Sequence, residues 1–132
     1  MDGPHVMADL EMGVYDGARA GGAVNASYAR INASFVTAMV KGDAGNHWAI
    51  KWADAQAGPL HTAFDGARPG GAATLYHPMK KPGGLVLGLG GDTSNGGVGT
   101  FYEGAITRGF SSDEADSAVQ ADIVAAGYGL GG

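Results

Sequence analysis

A chain of 132 residues with 25 glycines and a net charge of −5 has room for one domain and one modest core. The glycines cluster between apolar runs without a three-residue period, which excludes collagen and points to many tight turns between short strands. The acidic balance and the lack of any lysine and arginine run give no reason to expect a nucleic-acid partner, and the absence of cysteine excludes disulfides and thiolate metal sites.

No apolar run approaches the roughly 18 residues that would suggest a membrane span, so no membrane partner is expected. The first residues, MDGPHV, lack the charged and apolar regions of a signal peptide. Asn25-Ala26-Ser27 and Asn32-Ala33-Ser34 have the form of N-glycosylation acceptors in a secretory pathway.

From His5 to Tyr15 apolar residues alternate with others, the signature of a strand. On that strand Asp9 and Glu11 stand on one face. An ordinary solvent-facing pair would look the same. Tyr15-Asp16-Gly17 opens a turn, and a Gly/Ala loop runs to about Ala26. A strand is predicted from Tyr28 to Lys41, followed by turn chemistry at Gly42-Asp43-Ala44-Gly45-Asn46. His47–Ala53 reads as a strand with Trp48, Ile50 and Trp52 on one face, and Pro59–Phe64 as another, closed by a turn at Asp65-Gly66. Leu85–Leu89 is short and apolar, and Val98–Thr107 alternates again. Ser111 followed three residues later by Glu114 has capping-box spacing. Ala115, Ala118, Val119, Ile123 and Ala126 then recur at helical intervals, which predicts one helix from about Ser112 to Ala126. Short strands between frequent turns argue for an antiparallel sandwich or sheet.

The densest concentration of approach-permitting backbone is Gly88–Gly104, GLGGDTSNGGVGTFYEG, with Asp92 inside its glycine-rich core. Glycoside hydrolysis needs two carboxyl groups that meet in space, wherever they lie in sequence. Glu11 and Asp92 qualify, as do Asp9 and Glu103, and the residues alone do not choose among the four. His5, His47, His61 and His77 have neither helical metal-ligand spacing nor a local cluster. Gly88-Leu89-Gly90-Gly91 is not embedded in a βαβ unit, as a dinucleotide loop would be. No cofactor and no metal is therefore expected. Trp48 and Trp52 suit sugar stacking, but strand tryptophans more often pack a core.

Several segments, in order along the chain, resemble the family 54 glycoside hydrolases, the fungal-type α-L-arabinofuranosidases: Phe35–Gly45 (FVTAMVKGDAG), His47–Lys51, Tyr76–Lys81, Gly88–Asp92, Gly99–Gly104 and Ala118–Ala126. The resemblance implies an all-β fold, an antiparallel β-sandwich of concanavalin-like or jelly-roll type, incomplete here, with one helix near the C-terminus. It implies a single domain over 1–132, similar to the C-terminal part of an arabinofuranosidase catalytic domain. The implied activity is retaining release of terminal arabinofuranose from arabinan or arabinoxylan, by a parent protein that is secreted. By that resemblance Asp92 is the acid/base, Gly91 lies against the sugar, Glu11 is the nucleophile and Asp9 a substrate contact. Met12-Gly13 stands where the family usually carries two asparagines. The expected partner is an arabinose-containing polysaccharide or oligosaccharide. Sheet edges left open by missing strands imply a homo-oligomer.

Overall fold

The structure is a computed structural model that describes residues 6–8, 14–15, 30–43, 47–67 and 98–129. In chain order these contain β1 (Met7–Ala8), β2 (Val14–Tyr15), β3 (Val36–Asp43), β4 (His47–Asp54), β5 (His61–Ala67) and α1 (Asp113–Ala126). The antiparallel class with one helix near the C-terminus is as expected. β1 pairs with β2, and β3, β4 and β5 form a three-stranded antiparallel sheet with β4 in the centre.

β-Branched and aromatic residues populate the three-stranded sheet, as a half-buried pleated surface favours. Along β4 they separate two layers. Trp48 and Ile50 face one way and form the apolar core, against which Val6, Ala63 and Phe64 pack. Burial of side chains this large contributes about 1.5–3 kcal/mol each. The opposite face carries Lys41 on β3 with Ala49, Lys51 and Ala53 on β4, all buried. At Ile50/Lys51 the β4–β5 register slips. Ile50 opposes Phe64 while Lys51 opposes Thr62, so Ala63 is the extra residue of a β-bulge.

Several boundaries differ from expectation. β3 starts at Val36 rather than near Tyr28, and β5 runs His61–Ala67, carrying Asp65 and Gly66 inside the strand rather than in a closing turn. The alternation from His5 to Tyr15 does not make one strand. Met7 pairs with Tyr15 and Ala8 with Val14, so the chain reverses between them. Alternation continues through both arms of a hairpin, and pattern alone cannot separate the two arrangements. Val98–Thr107 is not a strand either. A ladder requires a partner, and among the described residues this segment has none; Val98, Phe101, Tyr102 and Ile106 are exposed. Leu85–Leu89 lies outside the described residues.

α1 forms where expected, but its cap is Ser112 rather than Ser111. The Ser112 side chain accepts from the Ala115 backbone N–H at 3.2 Å, while Gly127 in the left-handed conformation ends the helix. The buried face is not the one that carries the periodic apolar residues. α1 buries Asp116 and Gln120, one turn apart, while Ala115, Ala118, Val119 and Ala126 are exposed. The reason lies in the sheet, which offers two buried lysines to this helix.

Candidate functional site

Asp9, Glu11, Gly91 and Asp92 all lie outside the described residues, as do His5 and His77. What the structure supplies is the frame around the first pair. Asp9–Gly13 connects β1 to β2, and Glu11 is equally distant in sequence from Ala8 and Val14. Val6, just before β1, rests on the Trp48–Ile50 core, and β2 lies against β4 and β5. Trp48 is thus core. Trp52 stacks on His61, its cross-strand neighbour, with ring centroids 4.8 Å apart.

Glu103, the fourth candidate carboxylate, is described. It is exposed and accepts a hydrogen bond from the Tyr128 hydroxyl. That bond raises the Tyr128 pKa, because a carboxylate acceptor favours the protonated phenol. Tyr128 stacks on Phe35 at 5.8 Å and 27° and meets Tyr102 edge-on at 5.5 Å. Phe35 and Tyr102 are 5.4 Å apart. Gln56 Nε2 donates to the Tyr128 carbonyl at 2.8 Å, tying this corner to the β4–β5 turn.

A charged cluster between sheet and helix was not anticipated from the sequence. Asp116 Oδ2 accepts from Lys41 Nζ at 2.6 Å and from Lys51 Nζ at 2.7 Å, and its Oδ1 accepts from Ser111 Oγ at 2.5 Å. Lys41 also donates to the Ser111 carbonyl at 2.9 Å and Lys51 to Asp113 Oδ1 at 2.6 Å. Burial acts to raise the Asp116 pKa, but the bonds from Lys41, Lys51 and Ser111 outweigh it and lower it to about 2. Lys51 shows the mirror case: burial opposes its charge, yet the bonds to Asp113 and Asp116 raise its pKa. The signal available in the sequence was Lys41 and Lys51 at alternate-face positions of two strands and Asp116 in the first helical turn. It becomes legible only when the β3–β4 register is known.

Beside this cluster, His47 Nε2 lies 2.6 Å from Asp65 Oδ1, and the His47 ring stacks on Phe110 at 4.8 Å. Lys41 Nζ is 4.2 Å from the centre of the same phenyl ring. Lys41, Lys51 and Asp116 are buried beneath the helix and paired with one another, while Asp113 reaches Lys51 from the exposed side, an arrangement that reads as a structural junction.

A family model described as alpha-L-arabinofuranosidase B, catalytic, matches residues 1–129. A probable alpha-L-arabinofuranosidase B of Aspergillus flavus is 51% identical over 128 residues, covering 97% of this chain and 24% of the relative. An arabinofuranosidase/B-xylosidase of Trichoderma koningii is 49% identical over 128 residues, covering 97% and 25% respectively. Among solved structures, an arabinofuranosidase complexed with arabinofuranosyl-alpha-1,2-xylobiose matches with a TM-score of 0.66 at 50% identity, over 78% of this chain and 21% of that one. The chain spans about a quarter of the length of these relatives.

Proposed function

The chain belongs to the alpha-L-arabinofuranosidase B catalytic family, and from that premise we propose that its residues form one domain acting in the release of terminal α-L-arabinofuranose from arabinan or arabinoxylan side chains. The observation that carries this reading is the reach of the family match, which includes both Asp9-Leu10-Glu11 and Gly91-Asp92. Glu11 attacks the anomeric carbon while Asp92 gives its proton to the departing oxygen. Asp92 then takes a proton from water, which displaces Glu11 and frees the sugar with its configuration retained. Asp9 and Gly91 hold the arabinose ring. A retaining pair requires the two carboxyl groups about 5–5.5 Å apart. Such action on polysaccharide side chains takes place outside the cell.

Hydrolysis of 4-nitrophenyl α-L-arabinofuranoside tests the assignment. Glu11→Ala abolishes turnover on every substrate. Asp92→Ala spares glycosyl-enzyme formation from this activated substrate, and added azide restores the slow second step, because a small anion attacks without a general base. Turnover surviving Glu11→Ala overturns the assignment.

Met12-Gly13 after the proposed nucleophile, and the quarter-length coverage, favour a second reading: a carbohydrate-binding or structural β-protein without turnover. An unaltered chain that is silent on the aryl glycoside selects it.

A further inference from the structure

We propose that Tyr102, Glu103 and Tyr128 form an accessory surface that binds a neutral pentose chain and that includes none of the four residues assigned above to the catalytic site. The inference rests on the sugar substrate class proposed above.

The corner is ordered before any ligand arrives. Phe35 backs both tyrosine rings, Tyr128 donates to Glu103, and Gln56 holds the Tyr128 carbonyl. Gly129 follows with φ 72°, and a Cβ there would lie 2.9 Å from the Phe35 ring, so the backbone closes tightly against the cluster. Yet Tyr102 remains 60% exposed and Glu103 is exposed. A fixed, open aromatic ring beside a carboxylate matches the two kinds of surface a sugar has. The ring covers C–H bonds, and the carboxylate accepts from hydroxyls. Glu103 repels an anionic ligand, and a lone carboxylate gives a polycation little to hold. A neutral polyol satisfies both groups.

Electrophoresis of the full chain through gels containing soluble arabinoxylan, with hydroxyethylcellulose gels as control, tests the proposal. Arabinoxylan retards the unaltered chain and hydroxyethylcellulose does not. Tyr102→Ala weakens retardation about tenfold, as loss of one stacked ring does. Glu103→Gln and Tyr128→Phe weaken it too, and they keep the ring packing should Tyr102→Ala fail to fold. Phe101→Ala is the control, since that ring is 66% exposed but lies over Gly104, outside the cluster. It leaves retardation unchanged. Equal retardation of Glu103→Gln and Tyr128→Phe overturns the proposal, as does equal loss in Phe101→Ala. So does a fall in mass by light scattering in these variants, which identifies the surface as a contact between copies. A chain that turns over the aryl arabinofuranoside but is not retarded refutes this surface alone. A chain that does neither refutes the proposed function and this surface with it.

Discussion

Asp116 of α1 and Lys41 of β3 meet at 2.6 Å with only 3% and 6% of their side chains exposed, far apart in sequence and almost sealed from water. Lys51 completes the junction from β4 at 2.7 Å. A buried pair is weak evidence of net stabilisation, because desolvation offsets the attraction, but breaking one leaves an uncompensated charge. Asp116→Ala should therefore destabilise by about 3–5 kcal/mol. Replacing Asp116, Lys41 and Lys51 together by Leu, Met and Met should be neutral or stabilising. Urea unfolding of the two variants compares them directly, and similar losses in both would show that the charges stabilise on balance.

The same junction sets an acid limit. The folded pKa of Asp116, about 2, lies below its ordinary value of 3.8. Its contribution is thus fully present above the ordinary value and is lost as pH falls through the folded one, amounting to ~2 kcal/mol. Unfolding midpoints should hold from neutrality to about pH 4 and drop below it. Carboxyl NMR should show Asp116 titrating well below its ordinary value of 3.8; titration in the usual range refutes the junction. Lys51 has the opposite sense, with stability present below its ordinary pKa of 10.5 and lost only as pH rises through the raised folded value.

The two serines before α1 separate cleanly. Ser112→Ala removes the cap and should cost about 0.5–2 kcal/mol without moving the Asp116 titration. Ser111→Ala removes a hydrogen bond to the Asp116 carboxylate and should raise its pKa. If Ser111→Ala loses the first-turn helix signal and Ser112→Ala does not, the cap belongs to Ser111.

Among the described residues β3 and β5 are the outer strands of the three-stranded sheet, and on β3 Val36 and Val40 are exposed. Open edges favour pairing with another copy. Light scattering should show a dimer or larger species, and Val40→Lys should shift it toward monomer. A constant monomer mass across a wide concentration range rules this pairing out.

β4 was legible because Trp48, Ile50 and Trp52 alternate and a turn precedes them, information carried within a few residues. α1 was legible as a helix for the same reason. Its inward face was not, since Asp116 and Gln120 are turned inward by groups distant in sequence: Lys41, Lys51 and the carbonyls of Asp54 and Gly58. Ala115 and Val119 make the more conventional inner face only if the opposing surface is apolar. Val98–Thr107 carries strand alternation without a described partner strand, which shows that periodicity reports a preference and not its fulfilment. Of the candidate carboxylates, Glu103 alone falls within the described residues, and nothing in its local sequence announces Tyr128.

The bulge at Ala63 has a consequence for length variation. Shortening a strand by one residue ordinarily turns every side chain beyond the cut to the wrong layer. Here the slip has already been absorbed: Phe64 stays opposite Ile50, and Thr62 and His61 face Lys51 and Trp52. Excision of Ala63 would let Thr62 follow Phe64 in a regular ladder with every other facing preserved, at the cost of one small contact on the Trp48–Ile50 core. Within β5, this is the position where the chain can lose a residue and keep its sides.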